Sequence, residues 1–160
     1  MAYQKLQVGR ALPVIPSDTV LIPDVSTEVF SGQADFRVAN TLTDDGTNFK
    51  SIVSSAGAIV YNTGRTPNIA YNVTNVNSDT VLKISPGDPG DLGGVSDIYS
   101  IYNAATTGCV LYVGVAGNLK VQTSSGDIVI FTNMPIGFVP VQVIQVFKSE
   151  TDASGIIALW

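Results

Sequence analysis

The stretch GDIVIFTNMPIGFVPVQVIQVF, residues 126–147, contains a single formal charge, that of Asp127. Its second half, 138–147, predicts a β-strand that is apolar on both faces, because successive side chains of a strand point in opposite directions. One face would carry Val139, Val141 and Val143, and the other Phe138, Ile144 and Val146. A single solvated sheet has only one covered face, so such a strand requires a second β-layer or a neighbouring subunit.

The composition agrees with a β protein of modest size. The 160 residues suffice for one ordinary domain, or for a small domain that carries a second one as an insertion. Only 13% of the residues are charged, about half of the usual share, while 45% are hydrophobic, which argues against disorder. Because 15 Gly and 8 Pro accompany many β-branched residues, we expect short strands joined by tight turns and an all-β fold.

Charge and segment pattern exclude two classes of partner. A formal net charge of −5 argues against nucleic-acid binding, which requires clustered Lys and Arg. The N-terminal sequence lacks the apolar core and cleavage site of a secretory signal. No apolar run approaches the ~20 residues that a membrane-spanning helix needs. We therefore expect no nucleic-acid partner, no membrane partner, and assembly in a cytoplasm.

No catalytic, cofactor-binding or metal-ligating residue is predicted. The chain has no His, which removes zinc sites and Ser-His or Cys-His catalysis. The single cysteine, Cys109, begins an apolar strand, so we expect a buried, unreactive thiol rather than a nucleophile. Four tyrosines could form a carbohydrate-stacking platform, although aromatic residues at strand positions more often pack in a core. They are Tyr61, Tyr71, Tyr99 and Tyr102.

Carboxylates are the only general acid–base groups present in any number. Asp44-Asp45-Gly46 and Asp88-Pro89-Gly90-Asp91 are turn sequences without the alternating oxygen spacing of a calcium loop, so we expect solvated turns. A carboxylate-based hydrolase stays open as a minor alternative, since it would need two acids facing one cleft. The favoured interpretation is a protein that is not an enzyme.

The charge is concentrated in the middle of the chain. Residues 26–103 carry most of it, whereas 1–25 and 104–160 are poor in charge, which predicts an inserted module between two parts of one domain. The proline-containing segment 1–25 is expected to be an extended arm that lies across a neighbour, or equally an edge strand within its own subunit. The closing residues end on Trp160, which is expected to pack into a core or a subunit contact.

Within the inserted module, the sequence predicts strands throughout. Residues 48–64 suggest two strands that meet at Ala56-Gly57, and 69–85 predict a hairpin in which Ile69, Tyr71 and Val73 lie across the turn from Val81 and Ile84. Residues 95–104 favour a strand, although their spacing also fits one face of a short helix.

The C-terminal stretch also predicts strands joined by turns. LKVQT alternates, with Leu119 and Val121 on one side and Lys120 and Gln122 on the other, and the turn SSGD leads into a further strand, IVIFT.

The C-terminal stretch resembles the spike-base proteins on the heads of tailed phages and gene transfer agents. The matching positions are Leu111 to Gly114, Gly117, Val121, Phe131, Asn133, Pro135, Gly137, Pro140-Val141, Val146 and Ile157 to Trp160. The arm segment ALPVIPSDTVLIP also resembles that family, in which a similar segment immediately precedes the strands. Here the two parts are separated by the whole middle stretch.

The middle stretch resembles a different module that recurs in phage virion proteins. The matching positions are Leu42, Asp44, Phe49, Val60-Tyr61-Asn62, Val73, Val76, Ser78-Asp79-Thr80, Leu82 and Tyr102. This resemblance implies a small SH3-like β-barrel. The expected architecture is thus a β-sandwich from 1–25 and 104–160, with a small SH3-like β-barrel inserted at 26–103.

Both resemblances imply a structural protein of a tailed-phage virion, located on the capsid surface as a decoration (cement) or head spike-base protein. The implied partners are the major capsid protein or other virion subunits, together with copies of the chain in a homo-oligomer, a trimer or a pentamer. The alternative is a host-attachment or glycan-binding module, or a structural module of the neck or tail.

Overall fold

The computed structural model describes residues 9–35, 39–54, 57–64, 66–86 and 97–160. Thirteen strands and two short helices occur in these ranges, and every strand pairing is antiparallel, so the all-β prediction is confirmed. The strands are β1 Ala11–Pro13, β2 Glu28–Gln33, β3 Thr41–Thr43, β4 Ile59–Asn62, β5 Ile69–Val76, β6 Val81–Ser85, β7 Ile98–Tyr102, β8 Val110–Val113, β9 Gly117–Thr123, β10 Ile128–Met134, β11 Gly137–Phe138, β12 Val143–Val146 and β13 Ile157–Leu159. The helices are a 3₁₀ turn at Val25–Thr27 and α1 at Phe49–Ile52.

The chain divides into two compact units. Unit 1 comprises Met1–Pro16, described from residue 9 onwards, and Thr107–Trp160. Unit 2 comprises Ser17–Thr106. The sequence analysis placed the two boundaries between residues 25 and 26 and between residues 103 and 104.

Unit 1 contains two antiparallel sheets, consistent with the predicted sandwich. One has the strand order β1-β13-β8-β11 and the other β10-β9-β12. Strand β9 shows the predicted alternation, because Leu119 and Val121 are fully buried while Lys120 and Gln122 are partly exposed. Leu111 and Val113 of β8 are buried to the same extent. Alternate side chains of both sheets thus supply the core.

The predicted single strand over 138–147 is wrong. Strand β11 pairs with β8 in one sheet, and β12 pairs with β9 in the other, so the chain changes sheets between them. Pro140 lies at this crossing and has no N–H to donate to a ladder. Val139 and Val143 are both buried, whereas Phe138 is exposed. The run is rich in apolar residues because its two halves serve two different sheets.

The N-terminal arm packs within its own chain where the structure describes it. Strand β1 pairs with β13, with Leu12 opposite Ala158. The Trp160 carbonyl accepts hydrogen bonds from the backbone N–H groups of Gly9 (2.7 Å) and Arg10 (3.3 Å). The sequence analysis left two alternatives for this segment, an arm across a neighbour or an edge strand within its own subunit. For residues 9–16, the edge strand is the correct one. The backbone at Trp160 is held by this arm, and its side chain is half-buried.

Unit 2 is a six-stranded sheet with the order β2-β7-β4-β5-β6-β3. Its two edge strands approach each other, because the N–H of Asp35, after β2, donates to the carbonyl of Thr43 in β3 at 2.9 Å. The sheet is therefore strongly curled. It encloses a cluster that includes Leu42, Phe49, Val60, Tyr71, Val73, Leu82, Tyr99 and Ile101. That this sheet is SH3-like stays a prediction.

Three local predictions in unit 2 have different outcomes. The hairpin is confirmed, since β5 pairs with β6 and Val73 lies opposite Ile84, and the segment Ile98–Tyr102 is a strand. The strand predicted before Ala56 is wrong, because Phe49–Ile52 forms one helical turn. Asn48 caps it, with its side-chain oxygen accepting from the N–H of Ser51 at 3.2 Å.

Gly117 is expected to tolerate no side chain. A Cβ at this position would lie 2.6 Å from the Ala153 nitrogen and 2.8 Å from the Asp152 carbonyl carbon, both backbone atoms. Gly117→Ala should therefore lower the free energy of unfolding by about 1–2 kcal/mol, as overpacking does. Chemical denaturation measures the loss. Gly9→Ala is the matched control, since its Cβ would lie 4.0 Å from the nearest atom, and an equal loss in both variants would contradict the argument.

Candidate interaction surface

Cys109 has the environment predicted for an inert thiol. It is buried, and its Sγ donates to the carbonyl of Val143 at 3.2 Å. Burial raises the pKa of the thiol to about 12. Since the thiolate is the reactive form, burial favours the unreactive thiol of Cys109 at neutral pH.

The acidic turn at Asp44-Asp45-Gly46 is only partly as predicted. Asp45 is exposed, and the Asp44 Oδ1 accepts from the N–H of Gly46 at 2.9 Å, which closes the turn. The expectation of a solvated Asp44 is wrong, because this residue is buried and its Oδ2 accepts a hydrogen bond from the Tyr99 hydroxyl at 2.5 Å. Asp88 and Asp91 lie outside the described residues.

The tyrosines pack as core residues. Tyr61, Tyr71, Tyr99 and Tyr102 are all buried, with at most 4% of each residue exposed. The interpretation of these positions as core is confirmed, and the carbohydrate-stacking platform is wrong because no ring face is open to solvent. Tyr61 and Tyr102 instead make an edge-to-face contact with centroids 5.8 Å apart.

Other reactive groupings are missing from the described ranges. No set of three His, Cys, Asp or Glu residues there could hold a metal ion. In the same ranges, no helix has the length and apolar character needed to cross a bilayer.

A buried polar pair that the sequence analysis missed joins Asn62 to Asp97, with Nδ2 donating to Oδ2 at 3.2 Å. It fixes the start of β7 beside the end of β4.

The most unusual surface of unit 1 is an apolar one along strands β10 and β11. Both lie at the edge of their sheets. We call its five exposed residues the edge patch: Ile128, Val129, Ile130, Ile136 and Phe138, with exposures of 58%, 36%, 46%, 61% and 57%. Only Pro135 and Ile136 separate the two strands along the chain. Tyr112 packs edge-to-face against Phe138 at a centroid distance of 5.5 Å.

Strand β10 exposes apolar side chains on both of its faces. Val129 lies opposite the buried Val121 and so points to the core side of the sheet. Ile128 and Ile130 lie opposite Gln122 and Lys120, and so point to the solvent side. The sequence analysis identified IVIFT as a strand but assigned it no role. The signal was present, since four consecutive apolar residues fit no half-solvated strand.

Comparisons with protein-family models, curated proteins and solved structures found no match for this chain.

Proposed function

We propose that this chain is a structural protein of a tailed-phage virion, acting on the capsid surface as a decoration protein or as the base of a head spike. The observation that carries the proposal is the edge patch. Soluble monomers seldom leave several large apolar side chains exposed along edge strands, and such surfaces mark contacts with other proteins. A building block of a particle needs surfaces of this kind.

The resemblance to spike-base proteins adds support at the level of turns and close contacts. Gly137, one of the matching positions, has a φ of 142°. Gly117, another, packs closely against the backbone of Asp152 and Ala153. Asn133, also a matching position, has a φ of 51° and lies within the register shift between Phe131 and Met134 in the ladder of β10 and β9. These positions shape the edge of unit 1 from which the patch projects.

The glycan-binding alternative has lost the feature on which it depended. Its candidate tyrosines are buried, so alanine substitution there would test packing rather than saccharide binding. No described residue favours it in their place. A structural location at the neck or tail differs from the proposal only in position on the particle.

Fractionation of purified particles tests the proposal. Phage particles induced from the host that carries this chain would be separated into heads and tails, and each fraction analysed by peptide mass spectrometry and immunogold labelling. The chain should be found in intact particles and in the head fraction, and gold should label the capsid exterior. Recovery in tails alone would move the chain to the neck or tail, and absence from all particles would overturn the proposal.

A further inference from the structure

We infer that β10 is a self-association edge, which pairs antiparallel with β10 of a second copy of this chain across a two-fold axis. This concerns the chain itself and does not require a virion location. It rests on the direction of the backbone groups of β10, on their self-complementarity, and on the charge and the exposed apolar side chains of the strand.

The backbone of β10 has unpaired groups on its outer side. The N–H of Thr123 in β9 donates to the carbonyl of Asp127 at 2.9 Å, and the carbonyl of Lys120 accepts from Phe147 on the β12 side. Odd-numbered residues of β9 therefore bond towards β10, and by the alternation of an antiparallel ladder Val129 and Phe131 bond back to them. The N–H and C=O groups of Ile128 and Ile130 consequently point away from β9. Among the described residues, no strand pairs with that side.

These groups are complementary to themselves. A two-fold axis at Val129 places Ile128 opposite Ile130 of the second copy, and Ile130 opposite Ile128. Both pairs then exchange backbone hydrogen bonds. The two Val129 residues form the central pair without hydrogen bonds, in which Cβ atoms lie about 4.5–5.5 Å apart. The register uses only residues before the shift between Phe131 and Met134, where β10 departs from regular geometry.

Charge does not oppose the contact, although the chain has a formal net charge of −5. Strand β10 itself is uncharged, and in this register Asp127 faces Phe131 of the second copy. The two Asp127 residues would lie about four strand positions apart, or roughly 13 Å, which exceeds the Debye length of about 8 Å at physiological salt. Other edges are protected in ways that β10 is not. Strand β1 carries Pro13, and β2 exposes Glu28, Ser31 and Gln33.

The pairing would bring exposed side chains of β10 together. Ile128, Val129 and Ile130 are 58%, 36% and 46% exposed, and in this register each gains a directly opposite apolar neighbour from the second copy. An isologous contact closes at two copies, which differs from the trimer or pentamer expected from the resemblance.

Sedimentation velocity of the purified full-length chain tests the inference. At micromolar concentration the wild type should sediment as a dimer, and Ile130→Lys should shift it to the monomer, with Kd raised at least 100-fold. Ile98→Lys is the matched control, because Ile98 is an isoleucine of similar exposure, 54%, on a strand of unit 2, and it should leave the dimer intact. A monomeric wild type, an Ile130→Lys variant that sediments as the wild type does, or a ring of three or more copies would overturn the two-fold pairing.

Cross-linking tests the register itself. Val129→Cys should form a disulfide-linked dimer under mild oxidation, because the central pair brings the two Cβ atoms within reach of a disulfide. The wild type is the control, since its single cysteine is buried and should give no linked species. Ile128→Cys should cross-link much less. In this register residue 128 lies opposite Ile130 of the second copy, so the two introduced cysteines are two strand positions apart. Equal cross-linking at 128 and 129 would overturn the register.

Discussion

Phe49→Ala is expected to lower the free energy of unfolding by about 3–5 kcal/mol, the usual cost of truncating a buried aromatic ring. Phe49 is fully buried in the core cluster of unit 2. Its backbone N–H also donates to the carbonyl of Asp79 at 2.6 Å, which links α1 to the loop before β6. A helix of one turn has no stability of its own in water, so its formation depends on the burial of this ring.

Urea denaturation followed by far-ultraviolet circular dichroism measures the loss. Ile98→Ala is the matched control on the same sheet, because Ile98 is 54% exposed and its truncation should change stability by no more than about 0.5 kcal/mol. Hydrogen exchange gives an independent readout. The amide of Val53 donates to the carbonyl of Phe49 at 2.9 Å and should lose protection in the variant. A loss below 1 kcal/mol with Val53 still protected would contradict the core role of Phe49.

The features that the sequence predicted correctly are those decided by neighbouring residues. The alternation of Leu119 and Val121 with Lys120 and Gln122 fixes which face of β9 is buried. The hairpin of β5 and β6 is encoded by two apolar runs separated by a polar turn. The buried Cys109 likewise followed from an apolar strand around a lone cysteine. No distant contact had to be known for any of these.

The features that escaped prediction depend on residues far apart in the chain. The run 138–147 has the composition of one strand, and only the positions of β8 and β9 decide that it serves two sheets. Asp44 reads as an ordinary turn residue, and its burial depends on Tyr99, which is 55 positions away. The helix Phe49–Ile52 has a single turn, which is too short for apolar periodicity to detect.

The sequence predicted the apolar character of the candidate surface but not its exposure, because exposure also depends on contacts between distant residues. The sequence identified the apolar character of 126–147, and it predicted the need for a second covering layer only for 138–147. It could not distinguish the central strand β9 from the edge strand β10, because strand order is a property of the assembled sheet. Exposure of Ile128 and Ile130 therefore emerges only from the fold.

Tyr99→Phe is expected to lower the free energy of unfolding by about 2–3 kcal/mol, the range for losing a hydrogen bond to a charged group. The Tyr99 hydroxyl donates to the Asp44 Oδ2 at 2.5 Å, and both residues are buried. Gly32 closes the site, since even a Cβ there would lie 3.0 Å from that carboxylate oxygen and 3.1 Å from the hydroxyl. Phenylalanine keeps the ring but leaves the buried carboxylate oxygen without this donor.

The same bond makes stability depend on pH in the alkaline range. Burial, and next the hydrogen bond to Asp44, raise the pKa of Tyr99 above its usual value of 10.0. The folded state therefore holds the phenolic proton more tightly than the unfolded state does. The stabilisation is fully present below about pH 10 and is lost as the pH rises above it, by up to about 1.4 kcal/mol per pH unit.

The Tyr99→Phe variant should lack this one-proton contribution. Urea midpoints measured between about pH 8 and pH 11 should fall less steeply with pH in the variant than in the wild type, so that the difference in stability narrows above pH 10. Burial also raises the pKa of Tyr102 and of Cys109. Both groups are present in both proteins, so their effects cancel in the comparison. Parallel pH profiles would show that the Tyr99 proton is held no more tightly in the folded chain than in the unfolded one, and would contradict a buried hydrogen bond to Asp44.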